Sequence, residues 1–261
     1  MRARLILAAA ALLPAVLLTA APAWAQSLDQ RVQMRTERQA EQRQPRTAVA
    51  FDPAQFDKFA GVYQRAPYEF FTITRRGEHF VLGVEMPGLD QSHDTELYPE
   101  SPTKFFAKDK PVQVAFTADA RGRITGFVQH GGGFEVIVPK VGEATVKRAM
   151  AEAEKRIKTQ TPHPGAEGKL RRFIEGFQRG QPNYDEIDAE SAVIYRTALL
   201  KDTTDQLQKL GALTSLTLVE VPPTTADKYL AVGEHGRAHI TIDFAGDGRI
   251  DSVQIAKIET P

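Results

Sequence analysis

From Phe51 to Val141 the chain alternates apolar and polar residues in short runs, each closed by turn-forming residues. Val112, Val114 and Phe116 share one face of such a run, as do Phe134, Val136 and Val138 in another, which is the two-residue period of a β-strand. The clearest hairpins are Phe71–Val84, turning at Arg75-Arg76-Gly77-Glu78, and Ile124–Val141, turning at Gly131-Gly132-Gly133. Glu96–Tyr98, Lys104–Ala107 and Val112–Thr117 supply strands between them. Neighbouring short strands with no helical run among them predict an up-and-down antiparallel barrel or a sandwich over 51–141, and barrel closure would remove the exposed edges.

After residue 142 the period lengthens. Val146, Met150, Ala153 and Ile157 form one stripe of a charged, Ala-rich helix. It ends at Thr161-Pro162-His163-Pro164-Gly165, because neither proline continues a helix. This is the best domain boundary in the chain, and cleavage by proteases is expected near 158–167. Leu170, Phe173, Ile174 and Phe177 make a second, core-facing stripe. Asp188 is placed to cap a long helix reaching Leu210 and stopping at Gly211. Strands are expected at Leu213–Val221, Lys228–Val232, Arg237–Phe244 and Arg249–Ile258. The fold class is therefore α+β overall: an N-terminal antiparallel β-barrel over 51–141, a helical linker over 142–165, and an α+β unit over 166–261 with helices on one face of an antiparallel sheet.

The start of the chain belongs to neither unit. Arg2 and Arg4, an uncharged apolar run from Leu5 to Ala20 and the small-x-small pattern Ala23-Trp24-Ala25 predict a signal peptide over 1–25, cleaved before Gln26. The run is short for a bilayer-spanning helix and is followed by Pro22, with Pro14 inside it. Neither a lipid-anchor cysteine nor an adjacent arginine pair is present, so the expectation is export by the general secretory route into the periplasm or beyond, without a stable membrane anchor. Residues 26–50 are rich in Gln and Arg and poor in large apolar residues, which predicts a disordered leader. A helical partner-binding arm is the alternative, but an apolar stripe is missing.

Acidic and basic residues balance at 33 each; loss of Arg2 and Arg4 leaves the mature chain near −2. That balance provides no global field for nucleic acid. The chain has no cysteine, which excludes disulfides, thiolate nucleophiles and Cys-ligated metals. Stability must come from packing, for which 42% hydrophobic residues and 14 Phe suffice.

Several stretches carry a resemblance. F-A-G-V-Y (59–63), E-L-Y-P-E-S-P-T-K-F-F (96–106), V-A-F-T-A-D-A-R-G-R-I-T-G-F (114–127) and G-F-E-V-I-V-P-K-V (133–141) are similar to the lipocalin-like β domain that follows serine-hydrolase domains of the beta-lactamase/penicillin-binding type. L-R-R-F-I-E-G-F-Q-R-G-Q-P-N-Y-D (170–185), L-G-A-L-T-S-L (210–216), D-K-Y-L-A-V (227–232) and D-G-R-I-D-S-V (247–253) resemble the cone-shaped domain often found after it, of the nuclear-transport-factor-2 and ketosteroid-isomerase type. The preceding hydrolase domain of such proteins carries S-x-x-K, Y-x-N and K-T-G-like motifs; here the signal and leader stand in its place, and no Y-x-N or K-T-G occurs. The resemblance implies an exported, non-catalytic accessory or binding protein, its partner a serine hydrolase or another periplasmic protein. A second reading is a binder of a small apolar ligand in the barrel or cone interior. A third, from fold analogy alone, is an isomerase- or hydratase-like enzyme using Tyr184, Tyr195 or Asp185.

Local motifs add little chemistry. Ser101-Pro102-Thr103-Lys104 spells S-x-x-K, but that motif works at a helix start, and its surroundings here are β. His130-Gly131-Gly132-Gly133 imitates an oxyanion loop, yet a hairpin turn explains it better. His79, His93, His130, His163, His235 and His239 form no metal motif. His239 and Asp243 share the polar face of one strand, where a solvated face is the plainer reading. Asp243, Asp247 and Asp251 lack calcium-loop spacing, and Asp247-Gly248 is a turn. Asp185, Glu186, Asp188 and Glu190 precede a helix, where acids favour the dipole. No catalytic residue, cofactor-binding residue or metal ligand is assigned from the sequence.

Overall fold

The computed structural model describes residues 27–88, 94–224 and 226–260; the expected signal peptide and His93 lie outside them. Eight strands, β1 (Gly61–Ala66), β2 (Glu69–Arg76), β3 (His79–Glu85), β4 (Thr95–Pro99), β5 (Lys104–Phe106), β6 (Gln113–Ala118), β7 (Ile124–Gly131) and β8 (Phe134–Val141), pair in chain order. The last returns to the first, Val62 opposite Val141 and Tyr63 opposite Lys140, so the sheet closes into an antiparallel barrel rather than a sandwich. Arg76 pairs with His79 across Gly77, and Gly131 with Phe134 across Gly132 and Gly133. The last two have φ of 60° and 89°, a backbone that side chains with a Cβ rarely adopt.

Aromatic rings fill the barrel. A 3-10 turn at Pro53–Phe59, capped by the Asp52 carboxylate, places Phe56 and Phe59 among the strand residues. Phe56 stacks on Phe80 and Phe59 on Phe116, each with 4.2 Å between centroids. Tyr63, Phe105 and Phe127 are fully buried beside them. Each such ring pair adds about 0.5–1.5 kcal/mol beyond its buried area. The rings also occupy the space that an apolar ligand would need in the barrel.

Helix α2 (Glu143–Thr159) leaves β8 and stops at Gln160, whose φ of 51° is left-handed. Helix α3 (Ala166–Gln178) then buries the expected stripe of Leu170, Phe173, Ile174 and Phe177. The expected long helix from Asp188 to Leu210 is interrupted. It comprises α4 (Ala189–Ile194), a π-helical turn (Tyr195–Leu199) and α5 (Leu200–Leu210). At the widened turn the Thr197 hydroxyl donates to Val193 O at 2.7 Å, competing with the helical ladder. Strands β9 (Leu213–Glu220), β10 (Asp227–Gly233), β11 (Gly236–Phe244) and β12 (Ile250–Ile255) form one antiparallel sheet in the order β12-β11-β10-β9. Ala238, Ile240, Ile242 and Phe244 of β11 meet Phe173, Phe177, Tyr195 and Leu207 in the second core.

The leader departs from its expectation. Residues 28–42 form helix α1, opened by a capping box in which Ser27 and Gln30 exchange side chain-to-backbone bonds. The helix buries no residue of its own, so the apolar stripe is indeed missing. Polar contacts with residues far along the chain hold it, with Leu28 alone packed against the second core. Among the described residues no helix is long and apolar enough to cross a membrane.

Candidate binding cleft

Helix α1 bridges the barrel and the α+β unit. On the barrel side, the Arg35 guanidinium lies 4.3 Å over the Phe134 ring and Arg38 pairs with Glu135 at 3.1 Å. The Gln42 amide accepts from Gly133 N–H at 2.7 Å and donates to Phe134 O at 3.1 Å. On the other side, Arg35 donates to Thr197 Oγ1 at 3.1 Å and Asp29 pairs with Arg196 at 2.7 Å.

Beside this strap the two units leave a cleft of about 500 Å³. Its walls are the end of β1 at Arg65, β8 at Val136 and Ile137, the start of α4 at Glu190 and Ser191, and β12 at Asp251. Ile137 is 79% exposed, an apolar wall left uncovered. Burial pushes the Glu190 carboxyl up to about 6; Arg38 opposes the shift and Asp188 adds to it. Burial also raises Asp251, against Arg65, and Ser191 donates to its Oδ1 at 3.4 Å. Asp243 is raised by burial too, against a bond from Phe244 N–H and with Asp251 adding. Asp243 and Asp251 share a pit of about 40 Å³ that also touches Tyr68 and His163. This wall prefers protons or cations: each carboxylate that ionises here lacks the water it would have outside.

A second junction lies at the linker. Asp227 of β10 is fully buried. Its Oδ1 accepts from Arg156 Nη2 at 2.8 Å and its Oδ2 from His163 N–H at 2.7 Å. The His163 ring packs 4.7 Å from Phe244 and 6.4 Å from Tyr68, which sits between β1 and β2. Gln160 exchanges two bonds with the backbone of Val221. The stretch read as an open boundary therefore carries a buried anchor.

The sequence candidates fall as follows. Ser101 sits in a turn before β5, and its Oγ accepts from the amides of Thr103 and Lys104 at 3.4 and 3.2 Å, while the Lys104 side chain is exposed. The His130–Gly133 segment is the β7–β8 hairpin, with His130 3.2 Å from Glu135. His239 is exposed on β11, whereas Asp243 lines the pit; no bond joins them among the described residues. Asp247 accepts from Arg249 N–H in its turn, so of the three spaced aspartates only Asp243 and Asp251 converge. Among the described residues no group of three His, Asp or Glu could hold a metal. Tyr195 is buried, its hydroxyl satisfied by both Val253 N–H and Val253 O. Tyr184 packs against the core and Asp185 is exposed. No protein-family model matches the chain, and no curated protein matches it.

Sequence reasoning missed Arg156, Asp227 and the cleft-facing role of Glu190. Asp188 does cap α4, accepting from Glu190 N–H at 3.0 Å, so the cluster looked fully explained by capping.

Proposed function

We propose that the protein is an exported, non-catalytic binding or accessory module of the kind that accompanies secreted serine hydrolases, with its ligand seated in the cleft between barrel and α+β unit. The observation that carries this reading is the cleft itself: an uncovered Ile137 facing half-buried carboxylates suits a ligand with an apolar body and a positive group. The closed up-and-down barrel and the helices packed on an antiparallel sheet support the lipocalin-like and cone-like resemblance. The packed rings of the barrel favour the cleft over the barrel interior as the ligand's place. Ser101 supports the non-catalytic half, since its Oγ accepts from two backbone amides and no base among the described residues bonds it.

Native mass spectrometry of protein taken from its own compartment tests the proposal. The expected result is a retained small molecule, lost from Ile137→Ser and Glu190→Gln, or a co-purifying hydrolase. A bare chain with neither overturns it. Stoichiometric labelling of Ser101 by a fluorophosphonate overturns the non-catalytic part.

A further inference from the structure

Where the chain leaves α1, residues 42–46 run past the β5–β6 connection and enclose another cavity, of about 540 Å³. It lies across β7 from the cleft: His130 lines it, whereas Gln129 and Gly131 line the cleft, as alternation along a strand requires. Arg43, Arg46, Lys108 and Lys110 reach its wall against one acid, Asp109. Arg46 is neutralised by Glu100 at 2.6 Å. The other three form no ion pair among the described residues. Lys110 donates to Thr95 Oγ1 at 3.0 Å, a hydroxyl that fixes the ammonium without cancelling its charge. The Lys108 ammonium lies 3.6 Å from the centre of the Tyr98 ring, and neither it nor Arg43 has a carboxylate within ion-pair distance among the described residues. Pro45, Phe106 and Val112 supply apolar wall between these charges.

We propose that this cavity is an anion site for a small organic ligand with an oxyanion head and a short apolar body. The wall carries more cations than acids, and their summed field favours an anion. The apolar wall favours burial of the ligand's apolar body. His130 lines the same cavity; burial holds its imidazole below the ordinary range, with Glu135 opposing and Lys104 and Arg46 adding.

Calorimetry on the purified protein at low salt tests this with phenyl phosphate, its neutral partner phenol, and inorganic phosphate as the head alone. Phenyl phosphate is expected to bind one site at least about tenfold more tightly than phenol, a difference of about 1.4 kcal/mol, and more tightly than inorganic phosphate. Added salt should weaken it. The pair Arg43→Ala with Lys110→Ala should cost at least about tenfold, and Arg65→Ala, in the acidic cleft, should change nothing. Should the pair fail to fold, Lys108→Glu reverses one exposed charge of the same wall and reads the same loss. Equal binding of phenyl phosphate and phenol, or undiminished binding by a folded variant, overturns the proposal. Binding to phosphatidylglycerol vesicles without binding of phenyl phosphate overturns it as well, in favour of a membrane surface.

Discussion

Two junctions bury acids, one between the linker and the α+β unit and one between the α+β unit and the barrel. At the linker, Asp227 lies in full burial with Arg156 and the His163 amide on its oxygens. In the cleft and the small pit beside it, Glu190, Asp243 and Asp251 are half-buried with opposing interactions that do not offset their desolvation, and all three are raised. The first junction is closed chemistry: every charge has its answer and nothing is left for a guest. The second keeps unanswered charge beside an open cavity. The difference teaches that a buried acid marks a candidate site where its partners do not offset its desolvation.

The largest test breaks the first junction. Asp227→Ala removes the fully buried carboxylate that Arg156 and the His163 amide both bond, and should cost about 3–5 kcal/mol in a urea titration followed by circular dichroism. Replacing both partners, Asp227→Leu with Arg156→Met, should cost less than either single change. A single-variant loss under about 1 kcal/mol would put the two junctions in one class.

A smaller test sharpens the second junction. The Glu190 carboxyl is raised in the folded state, so folding takes up a proton between the ordinary carboxyl range and about pH 6. Stability from this group is therefore present at low pH and lost as pH rises through about 6. Glu190→Gln should abolish that slope and gain about 1 kcal/mol near neutral pH, after allowing for solvent screening. The measurement is the difference between wild type and variant, which cancels carboxylates of opposite sign such as Asp57 and Asp119, both lowered by bonds to arginines. A difference that does not change with pH would remove Glu190 from the cleft's chemistry.

The smallest effect belongs to the strap. Arg38→Ala loses a partly exposed pair with Glu135, expected to cost under about 1 kcal/mol. Amide exchange should quicken in α1 and leave the barrel unchanged. Equal quickening throughout β7 and β8 would make α1 part of the barrel's own stability.

What the sequence made legible follows the reach of each interaction. Alternation and glycine turns are local, and so the barrel strands, the α3 stripe, the Asp188 cap and the stop at Gly211 all stand near their expected residues. Chain closure by β1 and β8 is not local, and the sequence left barrel and sandwich open. Arg156 and Asp227 are 71 residues apart, and nothing in either neighbourhood announces the other. Helix α1 was read from a true observation, the lack of an apolar stripe, toward a disordered leader. Its polar contacts lie between 91 and 167 residues away, beyond any window of periodicity. Glu190 was hidden by a sufficient local explanation, the capping of α4. The cleft itself has no sequence signature, because its walls come from β1, β8, α4 and β12.

The order in which the chain is made gives α1 one more property. It is synthesised before every residue it rests on: Gly133 and Phe134 come about ninety residues later, and Thr197 comes 162 residues after Arg35. A polar helix of 15 residues is marginal by itself, and its seat does not exist until both units have formed. The first element of the described chain to leave the ribosome is thus the last able to dock, and until it does the basic cavity lacks the wall that residues 42–46 supply.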